Sequence, residues 1–186
     1  MRSRGNIVIL SGPSGVGKGT IIKGLTEAMP NVKVAISATT RKPRSIEANR
    51  KSYYFLSDQE FNEKVANNEF LEWCHVLDKR YGTLRSEVEN TVNEGKDILL
   101  EIDTEGAQKI KANCKEAVLI FIAPPTMKEL QKRLVSRRTE QAIDIQKRLK
   151  KASLELAEID KYDYVVINKD INKAIDSILS ILKKKL

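Results

Sequence analysis

The sequence is thin in most of the features that would tie a chain to an oxidising compartment, a membrane or a metal. It has two cysteines in 186 residues, Cys74 and Cys114. That is too few for a disulfide framework, and their spacing matches no zinc pattern. Two reduced thiols suit a cytoplasmic protein. The longest apolar run, Ala117 to Ala123, is strand length and far short of the roughly 18 residues a spanning helix needs. Behind the basic start Met1–Gly5, the apolar run ends at Leu10 and Gly12 follows at once, which leaves no signal-peptide core. The single histidine, His75, sits in an apolar strand and reads as a packed residue rather than a catalyst.

What is present is a globular composition. Hydrophobic residues make up 41% and charged residues 31%, which excludes a wholly disordered chain. The length predicts one domain large enough to fold without disulfides. Lys plus Arg number 33 against 25 for Asp plus Glu, a net charge of +8 that favours anionic partners. Composition alone does not choose among nucleic acid, phosphates and an anionic membrane.

Apolar runs at 6–11, 32–36, 97–102, 117–123 and 164–168 predict buried strands. Helical patterns alternate with them, at about 20–28, 84–94, 105–112, 127–135, 145–159 and 171–182. The rhythm predicts an α/β fold with a parallel sheet and helices on both faces. The stretch 38–81 breaks it with shorter, more polar and aromatic segments, and reads as an inserted lobe. Within it, Ser57 and Glu60 form a capping box for a helix carrying Phe61 and Val65. Thr126 and Glu129 form a second one, Ser136 to Gln141 is a charged link, and Lys183 to Lys185 reads as a frayed tail.

The strongest motif runs Gly12-Pro13-Ser14-Gly15-Val16-Gly17-Lys18-Gly19-Thr20. It fits the phosphate-loop pattern at Gly12, Gly17 and Lys18, between a strand and a helix. The glycines let backbone N–H groups converge on an anion, and the helix N-terminus and Lys18 add positive charge. Gly19 stands where the pattern has a hydroxyl, so Thr20 is the candidate metal contact. A second anion site follows in Ser37-Ala38-Thr39-Thr40-Arg41-Lys42-Pro43-Arg44, where Arg41 and Arg44 offer planar forks to phosphate oxygens. Tyr53 and Tyr81 add hydroxyls.

The Thr-Thr-Arg-x-Pro-Arg segment with Glu47 and Tyr53 after it resembles guanylate kinases, P-loop kinases of nucleoside monophosphates. So do Phe70-Leu71-Glu72-Trp73, Tyr81-Gly82-Thr83, Glu101-Ile102-Asp103-x-x-Gly106-Ala107, Ala123-Pro124-Pro125, Arg133-Leu134-x-x-Arg137 and the Tyr162–Asn168 run. The resemblance covers about residues 5 to 182. It implies a P-loop core (1–37, 82–125 and 150–186), a small mixed α/β GMP-binding lobe (38–81) and a helical lid (about 126–149). It implies ATP-dependent phosphorylation of GMP, with dGMP as a further acceptor, to the diphosphate. ATP would lie on the loop 12–20 with Asn168 near the adenine. Arg41, Arg44, Tyr53 and Tyr81 would hold the GMP phosphate, and Ser37, Glu72, Thr83 and Asp103 would read guanine. Lys18, Arg41, Arg133, Arg137 and Arg148 would be catalytic, the last three on the lid. Mg2+ would accompany ATP, near Thr20 and near Glu101, which would share a strand face with Asp103.

Ile46, Arg50, Asp78 and Arg138 replace glycines usual in that family, and Arg80 replaces an aromatic. None of these removes a contact residue. The competing readings are a kinase for another monophosphate, a non-catalytic module that binds phosphopeptides, and a nucleic-acid binder. The retained Lys18 and the absence of a basic-aromatic signature weigh against the last two. The expected partners are ATP and GMP, with no nucleic acid, membrane or obligate protein partner.

Overall fold

The structure is a computed structural model that describes residues 4–44, 47–49, 51–76, 78–136 and 142–185. In chain order the elements are β1 (Ile7–Ser11), α1 (Lys18–Ala28), β2 (Lys33–Val34), β3 (Ser37–Thr39), β4 (Tyr54–Phe55), α2 (Asp58–Ala66), β5 (Phe70–Val76), β6 (Lys79–Leu84) and α3 (Arg85–Asn93). There follow β7 (Ile98–Glu101), α4 (Thr104–Asn113), β8 (Val118–Ala123), α5 (Met127–Ser136), α6 (Ala142–Leu156), a short 3-10 turn, β9 (Tyr164–Ile167) and α7 (Ile171–Lys185).

Five strands form a parallel sheet in the order β2-β7-β1-β8-β9. Side chains on a strand alternate faces, so a strand buried on both sides must be apolar throughout. Val8, Leu10, Ile120 and Ile122 point to one face and meet Leu25 of α1, Leu134 of α5 and Ile178 of α7. Ile9, Leu119 and Phe121 point to the other and meet Val92 of α3 and Ile110 of α4. The expected α/β core with helices on both faces is therefore present. Each fully buried Leu or Ile in these layers contributes about 1.5–3 kcal/mol by leaving water.

The second sheet, β4-β3-β6-β5, is mixed, and α2 packs on one side of it. Its helix begins with the expected capping box at Ser57 and Glu60. The register of β5 against β6 shifts between Phe70 and Glu72. Side chains two apart normally share a face, and a bulge breaks that rule. Phe70 consequently stacks on Phe61 of α2 with ring centroids 4.5 Å apart, beside Trp73. Past the bulge, Glu72 and Cys74 turn to the opposite face.

Several expectations shift. β3 and β6 were not marked by periodicity, because Ser-Ala-Thr and Lys-Arg-Tyr-Gly-Thr-Leu show no apolar alternation. Their strand geometry comes from pairing with each other and with β5. The strand expected over 32–36 narrows to β2. Thr126 Oγ1 accepts from the Glu129 N–H at 3.1 Å, but the Glu129 carboxylate turns to Arg133 instead of closing the box. The lysine tail continues α7 to Lys185, where cations suit the negative end of the helix. His75 is exposed at the end of β5 against Trp73 rather than packed. Arg80 lies over the Phe61 ring and bonds Asp58, holding α2 to β6.

Candidate active site

The loop between β1 and α1 needs glycine for a steric reason. A Cβ on Gly12 would lie 2.2 Å from the Ile122 carbonyl oxygen, and φ there is +141°. Gly17 caps α1 at φ +103°. The first turn of α1 carries no acidic side chain to offset its dipole, so the N-terminus faces the loop as a positive pole. Lys18 Nζ folds over the loop, donating to the carbonyls of Gly12 (2.6 Å) and Pro13 (3.3 Å).

Two side chains brace this loop from behind. Asn168 Nδ2 donates to the Val16 carbonyl at 2.8 Å and is almost fully buried. Arg133 Nη1 reaches the same carbonyl at 3.4 Å, and its Nη2 the Asn168 carbonyl at 3.1 Å. Arg148 of α6 approaches from the front, with Nη1 2.6 Å from Ser14 Oγ.

The loop opens into a cleft of about 420 Å³, a volume within the range of small-ligand sites. Gly12, Ser14 and Lys18 line one end, and the lobe sheet lines the other. Pairing explains which lobe residues arrive there. Ser37 faces Thr83, which faces Glu72; Thr39 faces Tyr81, which faces Cys74. Two rows of polar side chains thus share the face that the β5 bulge exposes. Tyr53, Arg41 and Arg44 complete the lobe side.

Glu72 is 5% exposed and accepts from Thr83 Oγ1 at 2.7 Å. Burial pushes its carboxyl up to about 7; the nearby charge of Asp103 adds to this and the Thr83 hydrogen bond opposes it. Contrary to the expectation, Asp103 does not share a strand with Glu101, because β7 ends at Glu101. It is instead the N-cap of α4, with Oδ1 accepting from the Gly106 N–H at 3.0 Å and from the Cys74 thiol at 3.4 Å. Glu101 and Asp103 both still reach the cleft.

Around the second anion site, Arg41 donates from Nη1 and Nη2 to the two Glu47 oxygens, 2.9 Å each. Its Nε donates to Tyr81 Oη at 3.2 Å. The hydrogen bond from Arg41 holds the Glu47 carboxyl below its usual value.

The cleft therefore gathers Gly12, Ser14, Lys18, Ser37, Arg41, Arg44, Tyr53, Glu72, Tyr81, Glu101, Asp103 and Arg148 from the expected set. Thr83 reaches it through Glu72. Arg133 and Asn168 support the loop from outside the cleft. Arg137, Ile46, Arg50 and Arg138 lie outside the described residues, whereas Asp78 lines the cleft mouth. Lys151 and Glu155 were missed. Lys151 Nζ lies 3.4 Å from Asp103 Oδ2 and 3.9 Å from Glu155 Oε1. Their signal was legible: Arg148, Lys151 and Glu155 step by three and four, one face of a helix. Glu47 lies in the same segment as Arg41, but only the folded lobe shows that the two pair.

Among the described residues, no group of three or more His, Cys, Asp or Glu side chains could hold a metal. Thr20 on α1 and Glu101 at the end of β7 are both exposed. One or two protein oxygens beside a phosphate site fit Mg2+, which keeps several waters and takes phosphate oxygens.

The chain's residues 4–185 match the family model described as guanylate kinase. A guanylate kinase of Caldanaerobacter subterraneus subsp. tengcongensis is 46% identical over 182 residues, covering 98% of this chain and 88% of that protein. One of Thermotoga maritima is 40% identical over the same shares. The crystal structure of guanylate kinase from Anaplasma phagocytophilum superposes with a TM-score of 0.83 at 36% identity, covering 99% of this chain and 87% of the other.

Proposed function

We propose the following roles on the premise that the chain belongs to the guanylate kinase family and phosphorylates GMP to GDP with ATP as donor. ATP phosphates occupy the loop 12–20, against its backbone N–H groups, the α1 N-terminus and Lys18. Arg133 and Asn168 hold the loop's shape. The GMP phosphate sits among Arg41, Arg44, Tyr53 and Tyr81, and guanine lies against Ser37, Glu72, Thr83 and Asp103. Guanine offers N1–H and the 2-amino group side by side, and an ionised Glu72 accepts from both. The roles above read base and phosphate rather than the sugar 2′ position, so dGMP serves as a further acceptor.

Phosphoryl transfer asks the protein for positioning and charge neutralisation. The attacking phosphate is already ionised at neutral pH, so no general base is required, and the exposed His75 lies outside the cleft. Arginines from both sides offset the repulsion between two anions. Arg148, with Arg137 on the expected lid, neutralises charge on the transferring group as the lid closes and excludes water. Thr20 and Glu101 would hold a Mg2+ arriving with ATP, and the ion would supply further neutralisation of phosphate charge.

One observation carries this reading: a single cleft has the phosphate loop at one end and a buried carboxylate at the other. A coupled assay of ADP formation against GMP, dGMP, AMP, UMP and CMP tests it. The guanine nucleotides should turn over and the others should not. Equal turnover of AMP would remove Glu72 as the base reader.

A further inference from the structure

The fork of Arg41 is already occupied. Nε donates to Tyr81, Nη1 to both the Lys42 carbonyl (2.8 Å) and Glu47, and Nη2 to Glu47. At most one N–H is left for a ligand. The guanidinium also lies over two rings, 5.3 Å from the Tyr53 centroid and 5.8 Å from that of Phe55. Its side chain is 18% exposed and that of Glu47 13%. Arg41 lines the cleft and Glu47 does not, so the carboxylate stands behind the guanidinium rather than in the ligand's place. Glu47 Oε2 accepts as well from the Arg44 backbone N–H at 2.8 Å, which ties both arginines to one carboxylate.

From this geometry we propose that Glu47 is a positioning residue of the acceptor-phosphate site. It fixes Arg41, and Arg41 in turn aims the Tyr81 hydroxyl at the phosphate. This rests on the acceptor-phosphate reading given above. A hydroxyl that accepts an N–H on one side directs its own proton elsewhere, and Tyr81 lines the cleft. Beside a cation, that O–H is also a stronger donor. Arg41 therefore contributes its charge and an oriented phenol, and the planar fork for the phosphate falls to Arg44. The Tyr53 ring holds the guanidinium from a further side. Without Glu47 the Arg41 side chain regains its rotamers, and the Tyr81 hydroxyl loses its fixed direction.

Misplacing a group by an ångström costs up to about a hundredfold in rate or binding. Glu47→Gln swaps one acceptor for an N–H that faces the guanidinium. It should weaken GMP roughly tenfold in calorimetry and raise its KM to match, with kcat and the ATP KM within about threefold of wild type. Guanosine, which has no phosphate, should bind as before. Tyr81→Phe should also weaken GMP, and the double variant should be no weaker than Tyr81→Phe alone, because the two act along one path. Glu47→Asp keeps the charge but spans the two nitrogens poorly. It should show the same pattern at smaller size, and it replaces the Gln variant if that one does not fold. Equal loss of guanosine and GMP would mean a general disturbance of the lobe and would overturn the proposal. So would fully multiplicative effects of Glu47→Gln and Tyr81→Phe, or an unchanged GMP affinity in the Glu47 variants while Tyr81→Phe is impaired. If Tyr81→Phe itself binds GMP normally, the acceptor-phosphate assignment falls, and the role of Glu47 with it.

Discussion

Glu72→Gln should separate what a buried carboxylate does for binding from what it does to stability. The carboxyl of Glu72 is raised from about 4.5 to about 7, chiefly by burial. Its folded value lies above its unfolded value, so the native state holds a proton that the unfolded chain has already released. Stability therefore falls as pH rises from about 4.5 to about 7 and then levels off. At ~1.4 kcal/mol per pH unit, the ionised side chain costs the empty protein about 3 kcal/mol at pH 8. The amide carries no such charge, and its oxygen can still accept from Thr83. The variant should melt about 6–12 °C higher than wild type at pH 8, at ~2–4 °C per kcal/mol for a chain of this size, and at the same temperature at pH 4. GMP should pull the other way. The variant loses a charged partner for guanine and should bind GMP more weakly by about 2–5 kcal/mol. AMP, relieved of a lone pair facing a carboxylate, should gain slightly, and an ATP analogue should be unaffected. As pH falls below about 7 the GMP affinity of wild type should drop about tenfold more per unit than that of the variant, which loses only what protonation of the GMP phosphate near pH ~6 costs both proteins. Scanning calorimetry at pH 4 and 8 and titrations of the three nucleotides across pH read all of this. Identical melting at pH 8 would show that Glu72 carries no buried charge. A loss of GMP affinity below threefold would show that guanine is read elsewhere.

Two further outcomes follow from the same geometry. Lys18→Met should lower the transfer rate by about 10²–10³, as loss of one preorganised electrostatic donor does, and leave the melting temperature near wild type; activity above a tenth of wild type in steady-state kinetics would refute its role. Gly106→Ala would place a Cβ 2.6 Å from Glu72 Oε2, so the carboxylate must shift and the GMP KM should rise roughly tenfold on the same geometric argument. The ATP KM should not move, and α4 should lose no stability, since Ala favours a helix over Gly by about 1 kcal/mol; a GMP KM within twofold of wild type would show that the base site tolerates the displacement.

Elements that bury their own apolar faces are legible along the chain. Residues Ile7–Leu10 of β1, Ile98–Leu100 of β7 and Val118–Ala123 of β8 are apolar because both faces of those strands are covered. α6 and α7 show their inward stripes at three- and four-residue steps. Capping by Ser57 and Asp170 is likewise local, a hydroxyl or carboxylate meeting N–H groups within three residues. The phosphate loop was legible for the same reason: its glycines, its lysine and the flanking strand and helix all lie within a single contiguous segment.

The tertiary structure alone decided what depends on neighbours far along the chain. β3 and β6 have no amphipathic pattern and become strands because each finds the other's backbone groups. The bulge that turns Glu72 away from Phe61 and toward the cleft leaves no mark in Phe70-Leu71-Glu72. The roles of Asp103 as thiol partner and neighbour of Lys151 are set by contacts 29 and 48 residues away. Whether Arg41 offers its fork to a ligand or spends it on Glu47 could not be read from an arginine and a glutamate six apart in an irregular loop. Periodicity records which face of an element meets the core. It does not record which polar atoms will meet across it, because that depends on distances that exist only once the sheets have packed.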